Sequence, residues 1–172
     1  MKKHSKKGGH RCLECGAELT EKRAPQPYGL AGDWSVVVED AIITTCPNCP
    51  GYGVGFENVE QLERAVVAAV VNKHGRLAPE EIRFLRTRLG LEAKTLAARL
   101  GVTASTMSRW ERGREPIGAT PERLLRALAA LAERDNAGFD PSVLDQIDAK
   151  DGRPLQLTLR RNAKGEWHRV AA

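Results

Sequence analysis

Apolar positions recur at helical spacing in four stretches of this chain, gather in two short β-branched runs, and alternate with polar ones near the C-terminus. Over residues 57–72, Leu62, Ala65, Val66, Ala69 and Val70 form one stripe until His74-Gly75 interrupts it, which predicts an amphipathic helix. A second helix is expected from Ala78-Pro79, with Ile82, Leu85 and Leu89 inward, and a last one from Thr120-Pro121, with Leu124, Leu125, Leu128 and Leu131 free to close a bundle or to pair with a second copy. Two β-branched runs, Trp34 to Val38 and Ala41 to Thr45, flank Glu39-Asp40 and predict a small hairpin. Near the C-terminus Leu155, Leu157 and Leu159 alternate with polar residues, Asn162 to Gly165 is turn-like, and Trp167 to Val170 returns as a second strand. A lone hairpin is marginal in water, so this one should dock on its own domain, a second subunit or a partner.

The stretch LAARLGVTASTMSRWERG, Leu96 to Gly113, carries a denser pattern. A small residue, Ala97, lets two helices cross closely, and Gly101 four positions on makes the turn between them. Leu96 and Leu100 supply the inner face of the first helix, and Val102, Met107 and Trp110 that of the second. Thr103 suits the N-cap and Gly113 the stop. This is the frame of a helix-turn-helix, and it points at duplex DNA; the competing reading is a helical bundle with a merely solvated charged face. With Met107 and Trp110 inward, a rotation of about 100° per residue puts Ser105, Arg109 and Arg112 outward. Arg109 is the candidate for bidentate base readout and Ser105 for a hydroxyl contact, with Thr106 beside them. Arg112 and Arg114, where the chain leaves the groove, more naturally meet phosphates.

Charge sharpens this division. The net charge of +5 runs along the sequence as +5 over 1–11, −5 over 12–75, +5 over 76–134 and zero beyond. A positive helical region suits counterion release from DNA, whereas an acidic N-terminal region makes poor nucleic-acid surface and implies a different partner. The lysine-rich start has no apolar signal-peptide core behind it, and no apolar run is long enough to span a membrane, so the expected location is the cytoplasm. The first eleven residues read as a basic disordered tail, and 135–153, with five aspartates, as a flexible connector.

All four cysteines fall into two pairs, Cys12-Leu-Glu-Cys15 and Cys46-Pro-Asn-Cys49. Two residues between thiolates let one turn offer both sulfurs to one ion, and two such turns complete a tetrahedral Zn²⁺ site that is closed to water and hence structural, one ion per chain. Gly16 suits the first knuckle turn, while Pro50 after the second pair removes a backbone N–H. Two disulfides, a thioredoxin-like dithiol and an iron–sulfur cluster compete with zinc. The first lacks an export signal, the second needs one pair at a helix start, and nothing else hints at the third. His4 and His10 can in principle replace a ligand, though histidines in a basic, glycine-containing tail are more often solvated.

Taken together, CxxC, a hairpin, CxxCPG, a helical linker, LAPEEIRFLRTRLGL and GVTASTMSRWERG resemble the MqsA-type antitoxins, which join a YgiT-type zinc finger to an Xre-family helix-turn-helix. The resemblance covers about residues 12–134. It implies an α+β chain: a small zinc-bound N-terminal module with a short β-hairpin at 12–56, a helical linker at 57–77, and an all-α lambda-repressor-like bundle at 78–134. Residues 135–172, connector and C-terminal β-hairpin, lie outside it. It further implies that Cys12, Cys15, Cys46 and Cys49 bind structural zinc, that the N-terminal module holds a toxin ribonuclease, and that a homodimer of the C-terminal module represses its own operon, with base contacts on Ser105 and Arg109. Thr103, Thr106, Arg112 and Arg114 complete the candidate DNA-binding set. Ala93 stands where many Xre proteins carry glutamine.

Three functions follow for comparison: a zinc-containing DNA-binding antitoxin, a solitary regulator whose zinc module assembles or senses, and an enzyme using the cysteines. The enzyme ranks last, because no nucleophile–base pair has motif spacing and no phosphate-cradling glycine loop appears.

Overall fold

The computed structural model describes residues 10–28, 36–133 and 137–170. The basic tail before residue 10, with His4, and Trp34 at the head of the expected first strand lie outside them. The chain is α+β, with N-terminal strands around the cysteine cluster, five helices, and C-terminal strands that rejoin the N-terminal sheet.

The sheet contains β1 (Thr20–Pro27), β2 (Val36–Thr45), β3 (Tyr52–Gly55), β4 (Leu157–Arg161) and β5 (Trp167–Arg169). The hairpin expected between the cysteine pairs takes a different form. Glu39-Asp40 is not its turn, because β2 runs straight through this pair and its antiparallel partners are β1 and β3. Ala24 pairs with Ala41 and Gln26 with Val38, so Pro25 alone stands opposite two residues, Glu39 and Asp40. That is a β-bulge, set where proline has no N–H to give the ladder. The extra residue also resets the alternation, so that Val36, Val38 and Ala41 are all buried on one face.

The C-terminal hairpin forms as its alternation predicts and docks on its own chain. Its β4 runs parallel to the first half of β2, pairing Leu157 with Val36 and Leu159 with Val38, while β3 occupies the second half of the same edge. Thereby Leu157, Leu159 and Trp167 join the buried face of β2, and the Trp167 indole donates to the Glu57 carbonyl at 3.1 Å.

The helices are α1 (Val59–Val71), α2 (Pro79–Arg88), α3 (Ala93–Arg99), α4 (Ala104–Glu111) and α5 (Ala119–Ala132). The first begins at Asn58, whose side chain accepts from the Gln61 N–H, and buries Leu62, Val66, Val67, Val70 and Val71. Each such aliphatic side chain contributes roughly 1.5–3 kcal/mol on burial, which makes α1 a core helix between sheet and bundle. On α5, Leu125, Ala129 and Ala130 face the core, whereas Leu124 (39% exposed) and Leu131 (69%) do not.

Three charged residues sit inside. Glu122 accepts from the Leu77 N–H and from Arg126, both at 2.8 Å, and Arg126 donates to the Val71, Lys73 and Gly75 carbonyls. Glu81 accepts from Lys73 Nζ and the Ala78 N–H at 2.7 Å and from the Leu155 N–H at 2.6 Å. Both oxygens of Glu81 and Oε1 of Glu122 are thus satisfied, while Arg126 Nε is buried without a hydrogen-bond partner. These bonds tie the α1–α2 connection to α5 and to the C-terminal segment. Composition predicts a flexible connector over 135–153, yet its described part is fastened there: Asp148 N–H bonds the His74 carbonyl at 2.8 Å, and the Arg76 N–H bonds that of Asp151 at 2.6 Å. Asn72 holds Gly138 and Asp140 as well. Local composition cannot register partners more than sixty residues away.

Candidate metal centre and nucleic-acid interface

Two turns at the open end of the sheet bring the cysteines together. In the first, the Gly16 N–H bonds the Cys12 carbonyl at 2.9 Å and Gly16 takes φ +73°, a conformation glycine adopts without strain. The second follows directly from β2. Cys12 Sγ lies 4.0 Å from Cys49 Sγ and Cys15 Sγ 3.5 Å from Cys46 Sγ, and all four sulfurs fall within 4.8 Å of one another. Metal–sulfur bonds of about 2.3 Å in a tetrahedron separate sulfurs by about 3.8 Å, so the cluster has the size to hold one metal ion.

Its electrostatics fit the same use. Backbone N–H groups of Cys15 and Glu14 aimed at Cys12 lower its thiol to about 7, whereas the Cys15 thiol beside Cys49, together with burial, pushes Cys49 up to about 12. A thiol raised so far keeps its proton, and holding all four sulfurs as thiolates would take a cation between them. His10 is outside the cluster, 3.7 Å from a Glu21 carboxylate oxygen.

In the helical region, α3 and α4 form the helix-turn-helix. Ala97 is buried at their crossing and Gly101 makes the turn at φ +70°. Thr103 caps α4 by accepting from the Thr106 N–H at 3.1 Å, and Met107 and Trp110 are buried beneath it. Gly113, at φ +68°, ends the helix, with the Arg114 N–H bonded to the Arg109 carbonyl at 2.9 Å. Consequently Thr103, Ser105, Arg109, Arg112 and Arg114 are exposed, and Thr106 partly so. Arg109 donates to Ser105 Oγ at 3.4 Å and Thr106 Oγ1 at 3.1 Å, which makes those three one cluster. Arg112 and Arg114 stand beyond it.

Sequence reasoning missed two partners. Glu115 lies 2.9 Å from Arg109 Nε, and Glu111 holds Arg86 and the Arg83 side chain on α2. Glu115 is six positions past Arg109 and beyond the helix stop, so the three-and-four spacing rule for helical neighbours does not reach it.

Among the described residues no helix is long and apolar enough to cross a membrane. No curated protein and no solved structure gives a significant match to the chain. Residues 80–137, from α2 to just beyond α5, match the family model described as a helix-turn-helix domain, the hallmark of DNA-binding transcriptional regulation.

Proposed function

We propose that this chain is a sequence-specific transcriptional repressor whose four-cysteine centre holds one structural zinc ion, and that it serves as the antitoxin of a toxin–antitoxin pair. The observation that carries the DNA reading is the polarity of α4, with Met107 and Trp110 buried and Ser105 and Arg109 outward. Ser105 and Arg109 meet base edges in the major groove, while Thr103, Thr106, Arg112 and Arg114 hold the flanking backbone. A homodimer reaches two half-sites about 34 Å apart, and the exposed Leu124 and Leu131 give α5 an apolar stripe for the second copy.

Zinc bound by Cys12, Cys15, Cys46 and Cys49 supplies a closed cross-link between the two turns and no reactive position. For the toxin, the support is chemical complementarity. The acidic N-terminal region suits a basic RNA-cleaving enzyme, and Leu13, Tyr52 and Val54 leave apolar surface exposed beside the cysteines. A regulator acting without a toxin is the second reading. It is favoured by the shared core of sheet and helices, which joins β2, the strand that leads to Cys46, to the DNA-binding helices.

Selection from a randomised duplex library tests the DNA reading: one enriched, two-fold symmetric site is expected, and uniform binding contradicts it. Co-expression with the product of the adjacent gene tests the antitoxin role. Toxicity of that product alone, relieved by this chain, is expected; a harmless neighbour that does not bind leaves the solitary regulator.

A further inference from the structure

We infer that Glu115 is a specificity-determining positioning residue that buttresses Arg109 for base readout. The inference rests on the reading of Arg109 as the base-contacting arginine. A guanidinium has five N–H donors in one plane. Here Nε faces Glu115 Oε2 at 2.9 Å, Nη1 donates to Ser105 Oγ and Nη2 to Thr106 Oγ1. Ser105 and Thr106 each take one donor and Glu115 adds an ion pair at Nε, which leaves one donor on Nη1 and one on Nη2, the number that guanine O6 and N7 accept together. The partners therefore fix the side chain without consuming its capacity to read a base.

Glu115 is itself held in place. The Gly113 turn sends the chain back beside α4, and Ile117, 1% exposed, anchors it two residues later. An unrestrained arginine at this 45% exposed position would lose its rotamer freedom only on meeting DNA. Glu115 also places negative charge beside the DNA-facing helix, which repels phosphate of any sequence. The carboxylate thus acts twice, weakening indiscriminate binding by charge and sharpening base choice by position.

Glu115→Ala and Glu115→Gln separate these roles, since both remove the charge but only glutamine keeps a side chain of the same length with an oxygen beside Nε. Full-length wild type, both variants and Arg109→Ala are compared at one salt concentration on the duplex that library selection enriches, on its single-base variants and on random duplex. Thermal melts confirm folding. Arg109→Ala should abolish preference at one base pair. Glu115→Ala should reduce discrimination at that same pair by about fivefold, the low end of what an arginine–guanine pair supplies, and Glu115→Gln should retain most of it. Both Glu115 variants should bind random duplex more tightly than wild type, and equally so. Equal loss of discrimination in both variants would reduce Glu115 to a charge effect and overturn the proposal, as would unchanged discrimination in Glu115→Ala alongside a loss in Arg109→Ala. Preferences left intact by Arg109→Ala would instead overturn the reading of Arg109 itself.

Discussion

Arg86 on α2 grips Glu111, the last residue of α4, with two bonds, Nε to Oε1 at 2.6 Å and Nη2 to Oε2 at 3.4 Å, while its Nη1 holds the Leu91 carbonyl at 2.9 Å. The pair is mostly shielded from solvent and pins the end of the DNA-facing helix to the bundle. Glu111→Ala leaves the guanidinium short of its partner and should destabilise the fold by about 2–3 kcal/mol, between the values typical of exposed and of buried pairs. Urea unfolding measures this, and a loss below about 0.5 kcal/mol contradicts the anchoring role.

Gly101 and Gly113 both hold the left-handed conformation, but a Cβ on Gly101 meets nothing within 4 Å whereas one on Gly113 lies 3.3 Å from Pro79 Cγ. Alanine should therefore cost about 1–2 kcal/mol at Gly101 from the backbone alone, and more at Gly113. Thermal melts that rank the two variants in the opposite order would contradict this packing.

The Tyr28 phenol is pushed up to about 12 by burial and by its hydrogen bond to Glu63 Oε1 at 3.0 Å. Because the folded value lies above the ordinary value of about 10, folding favours the protonated phenol. Its stabilising effect is present below about pH 10 and is lost as pH rises through about 12. Wild type should accordingly lose stability over that window faster than Tyr28→Phe; parallel curves would mean that the phenol is not held.

A metal ion held by the four cysteines would tie the Cys12–Cys15 turn to the turn that follows β2. Native mass spectrometry should find one zinc ion per full-length chain and none after Cys46→Ala with Cys49→Ala. Chelation should loosen the cysteine turns and the ends of β1, β2 and β3 in hydrogen exchange, while α2 to α5, which the cysteines do not cross-link, stay protected. Full metal occupancy in the double variant contradicts the four-thiolate site.

What the sequence revealed depended on whether the signal was local. Helical stripes, the Gly101 turn, the Thr103 cap and both cysteine pairs are all set by residues within a few positions, and each is where periodicity and spacing indicate. The first strand was illegible because an exposed edge strand with Pro25 and Pro27 has no apolar alternation to display. Continuity of β2 through Glu39-Asp40 was hidden for a related reason, since a bulge resembles a turn until its partner is known. Parallel pairing of β4 with β2 and the Glu115–Arg109 contact depend on how the chain folds back, and sequence spacing carries no trace of them; Glu122 and Arg126 stand four apart on α5, a legible pair spacing, but their burial is not legible.

The central claim, that α4 reads DNA through Arg109, is tested most directly by comparing Arg109→Ala with Arg114→Ala on the selected duplex and on random duplex at fixed salt. The account predicts that Arg109→Ala costs about 1–3 kcal/mol on the selected site and relaxes a single base pair, while Arg114→Ala weakens both duplexes alike. Equal losses from both variants on both duplexes would contradict it.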